Sequence, residues 1–313
     1  MSILIDTNLF PECFGSFPVR VHKDEPQVAV GSDAALKMFE RLVPEKDSRS
    51  HAIGPYGDAF AMSYPEGDTE KTKLSAEIIQ ALWMYDDITE TLPHEEAVLE
   101  HATVKKMFVL GDREANGTTP GKKTLMTSIF RDVAARMKAL DPEGAPWIIG
   151  NLHQYLTEYD GGDKTYSNIE DYAAFRSLNV GYRIMSSFMQ WCLSIYLSDE
   201  ETELCREFYT VSSRVMALTN DYWSWDMEKK EATDRVRNVI PVVMKQYSMS
   251  EKDARTFVKG MIIDVEQTTW KLGLDLKKGG SETIKRYVDG TFLLLGGSGF
   301  WSSTSPRYNS AQK

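Results

Sequence analysis

Three oxygen-bearing side chains, Asn220, Ser224 and Glu228, recur at intervals of four in the segment Asn220-Asp221-Tyr222-Trp223-Ser224-Trp225-Asp226-Met227-Glu228. On a helix, residues four apart stack on the same face. At ~1.5 Å rise per residue the three donors form a row roughly 12 Å long. Asn and Ser are poor helix formers, and here they interrupt an otherwise aromatic stretch, which argues for a purpose beyond local structure. A second acidic segment lies far upstream, Asp86-Asp87-Ile88-Thr89-Glu90, with Asp86 and Glu90 also four apart. Oxygen-only donor sets, without His or Cys, suit a hard cation such as Mg²⁺. Two helices presenting these rows to each other would gather Mg²⁺ around a polyphosphate.

The rest of the chain reads as helical. Apolar residues recur at helical spacing from Ala34 to Val43 and from about Thr69 to Thr91, where Pro93 ends the pattern. The first acidic segment therefore falls on a last helical turn. Carboxylates there oppose the helix dipole and call for a compensating positive charge. Further helices are predicted over 95–110, 122–140, 146–159, 168–197, 199–230, 251–274 and 282–295. Ser167-Asn168-Ile169-Glu170 and Ser198-Asp199-Glu200-Glu201 carry the Ser-to-Glu spacing of a capping box. Gly279-Gly280 separates the last two helices. Residues 1–32, with Pro11, Pro18 and Pro26, read as an irregular arm, and the Pro- and Gly-rich stretch 44–68 as loop. Strand-like alternation is scarce and no linker divides the chain. The expectation is an all-α, single-domain fold over 1–313 with ten or more helices and no internal repeat.

Composition removes several function classes. A net charge of −10 repels nucleic acid and anionic membrane surfaces, so a phosphate ligand needs metals or a few local cations. No apolar run approaches the ~18 residues of a membrane span, and no signal peptide is visible. Cys13, Cys192 and Cys205 have no metal-ligand spacing and fit a reduced, cytoplasmic setting. His22, His51, His94, His101 and His153 form no cluster in sequence.

Asp-Asp-x-x-Glu at 86–90, Asn-Asp-x-x-Ser-x-x-x-Glu at 220–228 and the ending Phe300-Trp301-Ser302-Ser303-Thr304-Ser305-Pro306-Arg307-Tyr308 occur in this order. In that arrangement the chain resembles a class I terpene synthase (terpene cyclase). It is similar in particular to fungal enzymes of secondary metabolism and to the cyclase domain of fungal chimeric terpene synthases, to which the opening PVRVHK also compares. The resemblance implies that Asp86 ligates Mg²⁺, with Asp87 and Glu90 supporting it, and that Asn220, Ser224 and Glu228 chelate another, within a set of three Mg²⁺ ions. It implies that Arg176, 44 positions before Asn220, senses the diphosphate. Gly181 matches the break where a backbone carbonyl enters the pocket, and Arg307 and Tyr308 the pair that binds diphosphate on closure. The resemblance also implies a helical bundle with a central active-site cavity and a C-terminal segment, 296–313, that caps it. Two positions depart from the pattern. Met227 stands where the family carries Lys or Arg, with Lys230 further round the helix as the nearest substitute. Ala81-Leu82-Trp83-Met84-Tyr85 differs from the Phe-rich version of the chimeric enzymes.

The chemistry implied is ionisation of an allylic diphosphate. Diphosphate leaves with several negative charges, and cations at the leaving group lower that barrier. The planar fork of Arg matches phosphate oxygens. The carbocation left behind needs a dry pocket with aromatic faces, each worth ~2 kcal/mol or more when desolvated. Trp83, one turn before Asp86, is the first candidate for that wall, with Ile79 and Leu82 beside it, and Phe60, Phe188 and Trp301 as further candidates.

The leading expectation is thus a Mg²⁺-dependent lyase that cyclises a linear isoprenyl diphosphate. The sequence stops five residues after Tyr308, so the expectation is either an excised cyclase domain of a chimeric enzyme or a free-standing enzyme. For a free-standing enzyme farnesyl diphosphate (C15) is favoured and geranylgeranyl diphosphate (C20) comes next. A chain-elongating isoprenyl diphosphate synthase would need a second Asp-rich motif, where this chain has Asn220, Ser224 and Glu228. A non-catalytic scaffold of the same fold is the third reading. A homodimer is compatible with the resemblance.

Overall fold

The computed structural model describes residues 2–10, 12–42, 52–89, 122–158, 166–230 and 237–309. Within them the helices are α1 (Glu25–Leu42), α2 (Ala59–Ser63), α3 (Thr69–Thr89), α4 (Lys122–Leu140), α5 (Ala145–Glu158), α6 (Ile169–Asn179), α7 (Tyr182–Leu193), α8 (Asp199–Leu204), α9 (Arg206–Glu228), α10 (Val239–Tyr247), α11 (Glu251–Gly279), α12 (Glu282–Thr304) and α13 (Pro306–Asn309). Two minimal antiparallel pairs accompany them, β1 (Ile3–Leu4) with β2 (Arg20–Val21) and β3 (Ile53–Gly54) with β4 (Gly57–Asp58). The all-α expectation is met. The predicted helix 95–110 lies outside the described residues.

Capping chemistry sets many of the boundaries. Ser198 and Glu201 form the expected capping box at the start of α8. Ser250 and Ser281 cap α11 and α12 through their hydroxyls. At α6 the cap is Asn168, which accepts from Asp171 N, rather than Ser167. The stretches predicted as single helices over 168–197 and 199–230 are each divided. The first breaks at Gly181, whose φ of 77° lies in the left-handed region open to glycine, and the second turns at Cys205 between α8 and α9.

The arm is shorter than its prolines suggested, because α1 already begins at Glu25. Pro26 occupies the first turn, where its missing N–H costs nothing. Its remaining length is fastened to α11. Glu266 accepts from both the backbone N and the hydroxyl of Ser16, each at 2.7 Å, and Trp270 Nε1 donates to the same hydroxyl at 3.1 Å. The segment 44–68 is also not wholly loop, since Asp58 caps the short α2 by accepting from Phe60 N and Ala61 N.

The largest correction concerns the C-terminus. Helix α12 does not stop near Leu295 but runs unbroken through Gly296-Gly297 to Thr304. Those glycines serve close approach rather than termination. A Cβ on Gly296 would lie 2.3 Å from the Pro18 carbonyl oxygen, and one on Gly297 would lie 2.1 Å from that of Met62. Helix α12 is thereby drawn onto the arm and α2, which brings Trp301 beside Phe60 and Trp83. Only α13 remains as the predicted cap segment.

Among the described residues two apolar cores result. The larger joins α1 to α5, α7 and α12. The smaller, with Ile169, Tyr172, Leu218, Val239, Ile240, Val258 and Ile262, sits among α6, α9, α10 and α11. Helix α9 serves both, Val215 and Met216 in the first and Leu218 and Trp225 in the second, so its second half lies at their junction.

Two outcomes test this packing. Gly297→Ala is expected to lose ~1–3 kcal/mol in urea unfolding, from overpacking against the backbone of α2. Burial pushes the Asp58 carboxyl up to about 6, against hydrogen bonds from Ser32, Phe60 N and Ala61 N. An acid raised in the folded state is protonated on both sides of unfolding below its ordinary range and ionised on both sides above 6. Its charge therefore removes stability as pH rises through that window, by roughly 3 kcal/mol in all. Asp58→Asn should gain on the native protein between pH 4 and pH 7 in paired melts, and parallel curves would refute this.

Candidate functional site

The row predicted on α9 is present, with Ser224 buried and Asn220 and Glu228 half-buried. The residue beside it, Asp221, is fully buried and organises the surroundings. Its Oδ1 accepts from Arg176 Nε at 2.8 Å, and its Oδ2 accepts from the Tyr172 hydroxyl and, at 2.9 Å, from Val239 N. Helices α6, α9 and α10 thus meet on one carboxylate. Burial pushes Asp221 upward from its ordinary range, opposed by the Arg176 charge and these hydrogen bonds. Burial also works against the Arg176 charge, but Asp221 and Glu228 outweigh it and hold the guanidinium well above its usual value.

The remaining nitrogens of Arg176 reach further. Nη2 donates to Asn220 Oδ1 at 2.7 Å and Nη1 to Asn179 Oδ1 at 2.6 Å, the latter on the last turn before the Gly181 break. Asn220 Nδ2 in turn donates to the Tyr308 hydroxyl at 3.2 Å. Arg176, Asn220 and Tyr308, which lie far apart in sequence, therefore share one hydrogen-bonded line. Arg307 stacks on the Tyr308 ring, with 5.7 Å from guanidinium carbon to ring centroid.

From Tyr308 a ladder of rings leads back to the first acidic segment. Trp301 meets Tyr308 edge-on at 5.8 Å between centroids, Trp83 meets Trp301 at 5.4 Å, and Phe60 meets Trp83 at 5.1 Å. The Trp301 indole nitrogen donates to Ala52 O at 2.7 Å, which fixes its plane. Trp83 is one turn before Asp86 on α3, and Asp86 is half-buried. The side chain of Asp87 and the whole of Glu90 lie outside the described residues.

The other candidates are placed as follows. Ile79 and Leu82 are buried in the larger core. Phe188 is completely buried and packs edge-on to Trp191 at 6.2 Å, on a different helix from the ladder. Lys230 is exposed in the turn after α9, where its backbone N–H bonds Met227 O. Asp226, at the far end of the motif, pairs with Lys229 at 2.7 Å and with Arg255 at 2.8 Å. Sequence reasoning missed Asp221, Tyr172 and Asn238 as parts of the site. Asp221 had a signal, a carboxylate inside the motif between Asn220 and the aromatic pair Tyr222-Trp223. Asn238 had none, lying ten residues past Glu228.

A divalent cation suits the donor set. Among the described residues no three His, Cys, Asp or Glu side chains gather, so a cation on α9 has to use Asn220 and Ser224 beside Glu228, an all-oxygen set apt for Mg²⁺. Asn220 Oδ1 has two lone pairs and spends one on Arg176. Glu228 accepts from Ser224 and Asn238, and both oppose the upward push of burial on its carboxyl.

Comparison with known proteins agrees with this geometry. Residues 77–268 match the family model described as terpene synthase family 2, C-terminal metal binding. The ophiobolin F synthase of Aspergillus clavatus is 27% identical over all of this chain, and the sesterterpene synthase of Colletotrichum orbiculare is 21% identical over 95% of it. The chain spans 44% of the length of each of these relatives. The crystal structure of aristolochene synthase from Penicillium roqueforti superimposes with a TM-score of 0.72 at 16% identity, covering 91% of this chain and 96% of that one. The helical bundle, the motif-bearing helix α9 and the match over more than half of its length place this chain in the terpene synthase family.

Proposed function

We propose that the chain is a Mg²⁺-dependent cyclase that ionises a linear isoprenyl diphosphate and closes the resulting carbocation to a cyclic terpene, releasing diphosphate. The observation that carries this reading is the line Arg176–Asn220–Tyr308, whose far end continues through Trp301 to Trp83 and so to the helix of Asp86. It supports a single site that has an anion-binding head of arginine and oxygen donors and an aromatic wall beside it.

In this reading Asp86 from one side, and Asn220, Ser224 and Glu228 from the other, hold Mg²⁺, with Asp87 and Glu90 as further donors on α3 and beyond. The bound ions supply the positive charge that a departing diphosphate needs. Arg176 adds a guanidinium that is already charged, oriented and largely withdrawn from water, so no reorganisation is needed as charge develops. Arg307 and Tyr308 close on the same oxygens, and Gly181 turns the backbone at the α6–α7 junction toward the pocket. Phe60, Trp83 and Trp301 offer ring faces to the cation and keep water out. Ile79, Leu82 and Phe188 back that wall. Lys230 is a weak substitute for the cation missing at Met227, because it is exposed beyond the helix end.

The substrate length changes from the first expectation. A relative aligned over nearly the whole chain carries the name sesterterpene synthase, and a sesterterpene is a C25 compound. A C25 or C20 diphosphate is therefore the substrate proposed, ahead of C15. No helix among the described residues is long and apolar enough to cross a membrane, and all three cysteines are free thiols, which supports a reducing, cytoplasmic setting.

Incubation with C10, C15, C20 and C25 diphosphates and Mg²⁺, with products read by mass spectrometry, should give cyclic C25 or C20 products. Longer diphosphates formed with added isopentenyl diphosphate would mean elongation instead, and absence of Mg²⁺-dependent diphosphate release would mean a scaffold. Asp86→Ala and Asn220→Ala should each nearly abolish turnover while leaving the helical circular dichroism intact. Arg176→Ala should differ from both, because it strands Asp221 as a buried unpaired charge. Loss of turnover is expected together with ~3–5 kcal/mol of stability in chemical denaturation. A stable Arg176→Ala variant would show that the buried pair is not holding α6 to α9.

A further inference from the structure

One side chain outside every sequence motif touches most of the second one. Asn238 stands at the N-cap of α10, where its Oδ1 accepts from Ile240 N at 2.9 Å. Its amide nitrogen faces α9. Nδ2 lies 2.7 Å from the Asp221 carbonyl oxygen, 3.0 Å from Glu228 Oε2 and 3.4 Å from Ser224 Oγ. The side chain is 1% exposed, so water does not compete for these bonds. The next backbone N–H, that of Val239, donates to Asp221 Oδ2 at 2.9 Å.

We propose that Asn238 is a positioning residue for the α9 row, holding Glu228 and Ser224 in the orientation a divalent cation requires. The inference rests on the metal-binding reading given above. Glu is a long side chain whose ordering costs rotamer entropy. At the last turn of α9 the Ser224 hydroxyl reaches it from the same helix. The Asn238 donor on Oε2, from α10, adds a second restraint on its terminal torsion before any ion arrives. The choice of an amide matters. A lysine or arginine at the same point would orient the carboxylate equally well but would neutralise it and repel the cation. A neutral N–H orients the carboxylate and leaves its charge available. Ser224 gives its own hydroxyl proton toward Glu228, which leaves the lone pairs of that oxygen for another partner. Asn238 thus stands behind two of the three candidate ligands, and α10 is anchored to α9 by the same residue. Partners of this kind behind a metal ligand are typically worth ~10–100-fold in metal affinity.

Two variants separate positioning from mere capping. Asn238→Asp keeps the shape and the cap acceptor for Ile240 N but replaces the donor with a carboxylate facing Glu228. Asn238→Ser keeps a capping oxygen and lacks the reach to α9. The measurement is Mn²⁺ binding to the purified chain in the presence of inorganic diphosphate, read as free Mn²⁺ by electron paramagnetic resonance and paired with thermal melts. The Mg²⁺ dependence of turnover serves as a second readout. Both variants should bind Mn²⁺ roughly 10–100-fold more weakly with melting temperatures close to the native one. Their Mg²⁺ requirement should rise, while turnover at saturating Mg²⁺ recovers most of its native value. Binding within twofold of native in both variants would overturn the proposal, as would weakened binding seen only together with loss of fold in both. If the native chain itself binds no Mn²⁺ with diphosphate, the metal-binding reading fails and this inference falls with it. If the native chain and both variants bind alike, this inference alone fails.

Discussion

The buried pair of Arg176 and Asp221 is the contact on which the site depends. Taking two charges out of water costs several kcal/mol per ion, and their attraction compensates only when the remaining donors and acceptors are satisfied. Here they largely are. Asp221 takes the Tyr172 hydroxyl and Val239 N beside Arg176, and Arg176 spends its other nitrogens on Asn179 and Asn220. The consequence is geometric as much as energetic. Three helices, α6, α9 and α10, are locked around one carboxylate. The guanidinium is left beside Asn220, where, in the proposed reading, an incoming anion would meet it already oriented. In a protein of net charge −10, Arg176 offsets the buried charge of Asp221 at that point.

The second constraint is the close approach of α12 to α2 and the arm. Gly296 and Gly297 permit backbone-to-backbone contact that any side chain would block. That contact sets the height of Trp301, and Trp301 is the rung between Tyr308 and Trp83. A pair of glycines in one helix thereby links the C-terminal arginine–tyrosine segment to the helix of the first acidic motif. The cap on α2 contributes from below, because Asp58 holds the turn that presents Phe60 to Trp83.

Periodic signals were legible in the sequence and close approaches were not. The fold class, the end of α4, the start of α5, the capping box at Ser198 and the row Asn220, Ser224, Glu228 all follow from repeats of three and four residues or from a local hydrogen bond. The errors share another origin. Gly296-Gly297 resembles a helix end in sequence, because the same residue serves both chain termination and tight packing, and only the partner backbone tells them apart. Pro26 resembles a breaker but sits where a helix start tolerates it. Asn238 gives no local sign at all, since its partners lie on another helix. Trp83 and Trp301 could be proposed as neighbours only by analogy, whereas the ring contacts place them together.

The composition of the α9 row has a physical logic of its own. In the proposed reading, a cation that must attract diphosphate cannot be fully neutralised by its protein ligands. Two of the three donors on α9, Asn220 and Ser224, are neutral, and the one carboxylate, Glu228, is held by neutral partners, Ser224 and Asn238. Replacing either neutral donor with Asp would bind an isolated ion more tightly, yet it would raise the negative charge beside Asp221, which already pushes Glu228 upward. It would also weaken the field felt by a phosphate oxygen. The row therefore trades affinity for the bare ion against affinity for the ion together with its anionic partner. Arg176 makes that trade workable, because it balances Asp221 and leaves the charge of a bound cation for the substrate.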